Sequence, residues 1–179
     1  MANTASLLVT NMVATPPTLT PVGQLGGRVR VAMNSFEVLA ADIDASGDTL
    51  VLARLPEDAR ILSIKMLTDD LDSGTDVAWD VGLYEAGTTA ATPGTVIDAD
   101  RYTSAKTNAL LSGSNALTEV YGESTNNTDS VDEYGNELYS HAAETRGTRT
   151  HYDIVATQTA TATGAAAGTI AFSIQYTID

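Results

Sequence analysis

Residue types capable of acid–base or metal chemistry are few in this chain, and they are scattered. His141, His151 and Asp153 are the only grouping from which a histidine-based acid, base or metal site could be drawn, and their spacing matches no ligand motif. No serine sits at a nucleophile elbow, and neither a phosphate-cradling glycine loop nor a dinucleotide fingerprint is present. The absence of cysteine removes thiol nucleophiles, thiolate metal sites and disulfides together, and leaves the redox compartment unreadable. Carboxylates are plentiful because the chain is acidic, so no two stand out as a glycosidase dyad.

One spacing has a specific physical meaning. Asp42-x-Asp44-x-Ser46-Gly47 alternates oxygen-bearing side chains and ends in a turn glycine, as the opening of a calcium loop does. The bidentate glutamate of such a loop is missing, since Ala53 stands there, and a solvated turn accounts for the same residues. Asp69, Asp70, Asp72 and Asp76 add carboxylates further along. The expectation is no cofactor and no catalytic residue, with Asp42, Asp44 and Ser46 as the candidate calcium ligands.

The elements that position these groups are organised around residues 48–85, which hold three apolar segments separated by two turn signals. Val77, Trp79, Val81 and Leu83 share one parity, which at a strand's two-residue period places them on one buried face. Leu62, Ile64 and Met66 repeat that pattern, and Thr49 to Leu55 is apolar on both parities, as in a strand covered on each side. Proline lacks a donor and Glu-Asp favours a turn, so Pro56-Glu57-Asp58 is read as joining two neighbouring antiparallel strands. Thr169 to Ile178 alternates most cleanly, and with Tyr152 to Thr163 it reads as a long terminal hairpin. Upstream, Val29, Val31 and Met33 alternate with other residues, whereas Phe36 and Val38 take the opposite parity, which predicts a bulge or a break near Asn34-Ser35.

Ser130-Val131-Asp132-Glu133 is a capping-box pattern, and Val131, Tyr134 and Leu138 follow at helical spacing. One short helix over about Ser130 to Ala142 is expected, weakened by roughly 1 kcal/mol at Gly135. Roughly seven to nine strands with one helix define an all-β antiparallel sandwich, jelly-roll-like, and exclude a doubly wound fold.

Residues 1–27 carry no charged side chain, contain three prolines and end in Gly26-Gly27. They are expected to form an extended arm, leaving residues 28–179 as the sandwich domain. Leu7, Leu8, Val9, Met12 and Val13 are its candidate apolar anchors, with Arg28 and Arg30 at its root.

Composition narrows the partners. With 9 Lys and Arg against 23 Asp and Glu, the formal charge of −14 argues against nucleic acid or an anionic membrane surface. No stretch reaches the roughly 20 apolar residues needed to span a bilayer. No basic residue precedes the mildly apolar Ser6 to Ala14, so a secretory signal is not expected. The Asn126-Asn127-Thr128 sequon is read as chance.

The opening MANTASLLVTNMVATPPTLTP, then GGRVRVA, the unit ARLPEDARILSIKMLTDDLDSG, the DVGLYE strand, DADRYTSA and the terminal IAFSIQYTI together resemble small structural proteins of tailed bacteriophages. That group is similar to capsid decoration, or cement, proteins with a β-sandwich or jelly-roll body. The resemblance implies a virion component on the capsid surface that binds the major capsid protein and reinforces contacts between coat subunits, as a homo-oligomer with a trimer favoured. The alternative is a carbohydrate-binding or adhesive jelly-roll module, such as a head fibre or receptor-binding component, which would stack sugars on exposed rings among Tyr84, Tyr102, Tyr121, Tyr134 and Tyr139.

Overall fold

Alternating apolar residues build eight strands in the computed structural model of the chain, which describes residues 14–16, 27–73, 77–107, 116–121 and 135–178. These are β1 (Arg30–Val38), β2 (Thr49–Pro56), β3 (Ala59–Thr68), β4 (Ala78–Glu85), β5 (Val96–Thr107), β6 (Thr118–Glu119), β7 (His151–Gln158) and β8 (Gly168–Ile178). They form two four-stranded sheets in the orders β1-β8-β3-β6 and β2-β7-β4-β5. All neighbouring strands run antiparallel. Except for β4 and β5, each described strand lies in the opposite sheet from the next, which is the double-sheet jelly roll. The expected all-β sandwich is therefore the fold.

That alternation corrects two connections. Pro56-Glu57-Asp58 does not join neighbours, because β2 and β3 belong to different sheets and the turn is a corner between them. The corner is held from outside: the Glu57 amide donates to the Thr150 carbonyl at 3.1 Å and the Gly147 amide donates to Glu57 Oε2 at 2.7 Å. Likewise β7 and β8 are not a hairpin, and the chain between them crosses one end of the sandwich. There the Gly164 amide donates to Asp72 Oδ1 at 2.9 Å and the Ala166 amide to the Leu71 carbonyl at 2.9 Å. A two-residue period says which face a side chain takes but not which strand lies beside it.

Trp79, Val81, Leu83, Ile64, Met66, Ile154, Ile170, Phe172 and Ile174 fill one core between the sheets. Two register shifts set which residues join it. β2 slips against β7 between Val51 and Ala53, so Leu50 and Leu52 point inward before the bulge and Leu55 after it. This explains the apolar residues on both parities without a second covering layer. β3 slips against β8 between Ile61 and Ser63, which buries Ile61 and leaves Leu62 half-buried and outside the core. The expected core position of Leu62 is thus taken by Ile61. At Gly82, an added Cβ would stand 2.2 Å from the Asp98 carbonyl oxygen, so the close approach of β5 to β4 requires glycine there.

The bulge or break expected near Asn34-Ser35 is absent. β1 pairs with β8 in unbroken register from Arg30↔Tyr176 to Val38↔Gly168. Even-numbered Ala32, Phe36 and Val38 contact the core, and odd-numbered Val31 and Met33 point away from it. The helix is also shorter than expected. Only α1 (Leu138–His141), a single turn, is helical in the described part of that segment, while the capping residues Ser130 to Glu133 lie outside the described residues. Gly135 takes φ +81°, and Glu137 pairs with Arg60 as an isolated bridge, so the backbone is committed to β3 where the helix would have begun.

Candidate interaction surface

Buried charges in this fold are committed to internal clasps. Asp153 on β7 is fully buried, accepts Arg54 Nε at 2.7 Å and Nη2 at 2.9 Å, and accepts the Gly87 amide at 2.9 Å. These hydrogen bonds raise the Arg54 pKa and tie the loop after β4 to β2 and β7. Arg60, 2 % exposed, pairs with Glu137 and donates to the Gly135 carbonyl at 2.7 Å, fixing the segment before α1 against β3. Glu144 accepts the Tyr152 hydroxyl at 2.6 Å and Arg149 Nε at 3.1 Å, and Arg149 also pairs with Glu85. The hydroxyl bond, then the guanidinium, holds the Glu144 carboxyl below the usual glutamate range. Burial pushes the Asp80 carboxyl up, partly opposed by the Ala105 amide that donates to it at 2.7 Å.

The histidines do not join a catalytic group. His141 Nδ1 accepts Arg101 Nε at 2.9 Å, His151 Nδ1 lies 3.0 Å from Thr150 Oγ1 at the surface, and Asp153 is occupied by Arg54. Among the described residues no three His, Cys, Asp or Glu side chains gather as a metal site. The calcium candidates serve as turn supports: Asp42 Oδ2 accepts the Leu39 amide at 2.9 Å and Ser46 Oγ donates to the Thr159 carbonyl at 3.1 Å, while Asp44 is exposed. Asp48 Oδ2 accepts the Ala45 amide at 2.9 Å, and Gly47 takes φ +96°. Among the described residues no helix is long and apolar enough to cross a membrane.

None of the candidate sugar-stacking tyrosines among the described residues is fully exposed, and Tyr121 and Tyr139 are half-buried. Tyr84 is buried with its hydroxyl 2.7 Å from Thr157 Oγ1, Tyr102 is fully buried, and Tyr121 packs edge-on against Tyr102. Tyr139 packs against the core, and Tyr134 lies outside the described residues.

What the described surface does offer is an edge. β1 is the terminal strand of its sheet, and its outer face exposes Val31 at 51 % and Met33 at 72 %, with Val29 just before it at 52 %. Arg28 and Arg30 are exposed at its start. Towards its end, a groove of ≈ 560 Å³ opens between the edges of the two sheets, lined by Phe36, Glu37, Val38, Asp42, Asp48 and Leu50 among others. No basic side chain lines it. The sequence offered Arg28 and Arg30 as contact candidates but not the acidic groove, because Glu37, Asp42 and Asp48 converge only through the corner from β1 to β2. The anchors Leu7, Leu8, Val9, Met12 and Val13 lie outside the described residues.

The fold and surface thus define a jelly-roll domain with an open, charged edge. No protein-family model and no curated protein matches the sequence. Two chains from solved structures are similar in fold. One, from the structure described as the capsid of Ralstonia phage GP4, gives a TM-score of 0.56 at 23% identity, covering 90% of this chain and 91% of that chain. Another, from the cyanophage Pam1 capsid asymmetric unit, gives 0.52 at 18% identity, covering 90% and 92%.

Proposed function

We propose that this protein is a structural component of a phage virion, bound to the outer surface of the capsid, where it stabilises contacts between major capsid subunits. The observation that carries this reading is the shared fold over nine-tenths of both chains with two chains from phage capsid structures. A β body whose described buried charges are held in internal clasps suits reinforcement. In this reading residues 1–27 form the docking or subunit-exchange arm, residues 28–179 form the body, and the protein works as a homo-oligomer, a trimer favoured, without enzymatic activity.

Leu7, Leu8, Val9, Met12 and Val13 supply the anchors, at about 25 cal/mol per Å² removed from water less the cost of ordering the arm. An uncharged segment carries little charge-desolvation cost on docking. Repetition over the shell lets modest single contacts act at high effective concentration. The test compares particles with and without the protein under heat and osmotic shock. Lower survival of the depleted particles is expected, and equal survival would exclude reinforcement. Deleting residues 1–27 should leave the melting temperature of the body nearly unchanged while abolishing shell binding, trimerisation or both. A truncated body that is unfolded on its own, yet still assembles as the full chain does, would make the segment part of the domain.

A further inference from the structure

We propose that β1 is a pairing edge for a second copy of this chain: two β1 strands run antiparallel across a two-fold axis at Met33, and Arg28 and Arg30 of each copy enter the acidic groove of the other. Edge strands in soluble proteins are ordinarily blunted by proline, bulges or inward charges. β1 has none of these between Val31 and Phe36, pairs in unbroken register on its other side, and exposes apolar side chains on its outer face.

Register follows from parity, because directly opposed residues must share a face. With Met33 opposite itself, Val31 lies opposite Ser35, Val29 opposite Glu37, Arg30 opposite Phe36 and Arg28 opposite Val38. Phe36 and Val38 line the groove that holds Asp42 and Asp48, so both guanidinium groups project from the face towards which it opens. A shift of two residues in one direction sets Arg30 opposite Asn34 and leaves only Arg28 opposite a groove residue, Phe36. The opposite shift carries Arg28 past the end of β1.

Charge selects this occupant. Arg54, Arg60, Arg101, Arg146 and Arg149 all pair with acids of the same chain. The strongest basic feature left at this edge faces acids repeated on every copy, and this local complementarity offsets the mutual repulsion of two chains of −14. The contact is isologous and closes on two copies, so it is separate from any arm-mediated exchange.

The sequence has no cysteine, so Met33→Cys places a single thiol on the proposed axis of the full chain. Under mild oxidation it should form a disulfide-linked dimer at least about tenfold faster than Val96→Cys, an exposed control on the far edge of the other sheet, because the assembled pair raises effective concentration. Adding Arg28→Glu with Arg30→Glu should reduce that rate to the control's. Wild-type protein should show twice the mass of the arginine variant by light scattering. Equal rates for the Met33→Cys and Val96→Cys chains would overturn the proposal, as would dimers that survive the arginine reversal. Faster linkage of the Met33→Cys chain to a Val9→Cys chain than to another copy of itself would assign the edge to the arm and equally overturn it. All of these are read on isolated protein, so the outcome is independent of shell binding.

Discussion

The two sheets end side by side in strands of opposite design, β1 and β2. β2 carries a bulge at Leu52 and ends in Pro56. Arg54 binds Asp153 and reaches the Thr89 carbonyl at 3.2 Å, tying the loop after β4 to it. β1 runs nine residues in continuous register and shows Val31 and Met33 to solvent. The same fold therefore guards one edge and leaves its neighbour open. Since both edges seal the same core, the difference is not a need of folding, and the open edge is the one proposed above to pair with a second copy.

The largest effect tests what the edges share. Trp79→Ala should cost about 3–5 kcal/mol, since a fully buried indole leaves a cavity between the sheets. Chemical denaturation should show both edges failing in one transition; a loss under about 1 kcal/mol would mean that the sheets do not depend on a common core.

Asp153→Ala sharpens the contrast by disarming the guarded side alone. It leaves the half-buried Gly87 amide and the Arg54 guanidinium without their acceptor, at a cost of about 1–3 kcal/mol. Hydrogen exchange should accelerate at Gly87 and along β2 while the β1–β8 ladder keeps its protection. Equal acceleration in β1 would show that the edges are coupled.

A third measurement uses acid. The folded carboxyl of Glu144 is held below its unfolded value, so its contribution is fully present above the ordinary glutamate range and is lost as pH falls through the lowered folded value. Glu144→Gln should cost about 1 kcal/mol at neutral pH and flatten the acid side of the stability profile. An unchanged slope below the ordinary glutamate range would remove this clasp from the account of how the start of β7 is held.

Val31→Thr should be the smallest change, within about 0.5 kcal/mol for the isolated fold, because the side chain is half exposed and lies outside the core. It should nonetheless weaken self-association on a sizing column. A large loss of monomer stability would mean that the outer face of β1 is covered within its own chain.

Apolar parity alone determined much of this protein. The alternation of Val77 to Leu83 and of Thr169 to Ile174 fixed those residues as strands with one buried face, and the absence of helical spacing elsewhere fixed an all-β class. Side-chain facing is a local consequence of backbone geometry, so sequence carries it. Partners between strands are not local. Only the tertiary structure decided that Pro56-Glu57-Asp58 turns a corner between sheets, that β7 and β8 face each other across the core, and that at a bulge Ile61 takes the core position and Leu62 is left outside. The opposite parities of Val31 and Phe36 looked like a broken strand because both are apolar; a continuous β1 shows instead that one of them faces outward. The same limit hid the surface. Arg28 and Arg30 are visible in the sequence as charges near an uncharged segment, but the groove of Glu37, Asp42 and Asp48 exists only because a corner brings the starts and ends of two edge strands together, and such closure depends on contacts far apart in the chain.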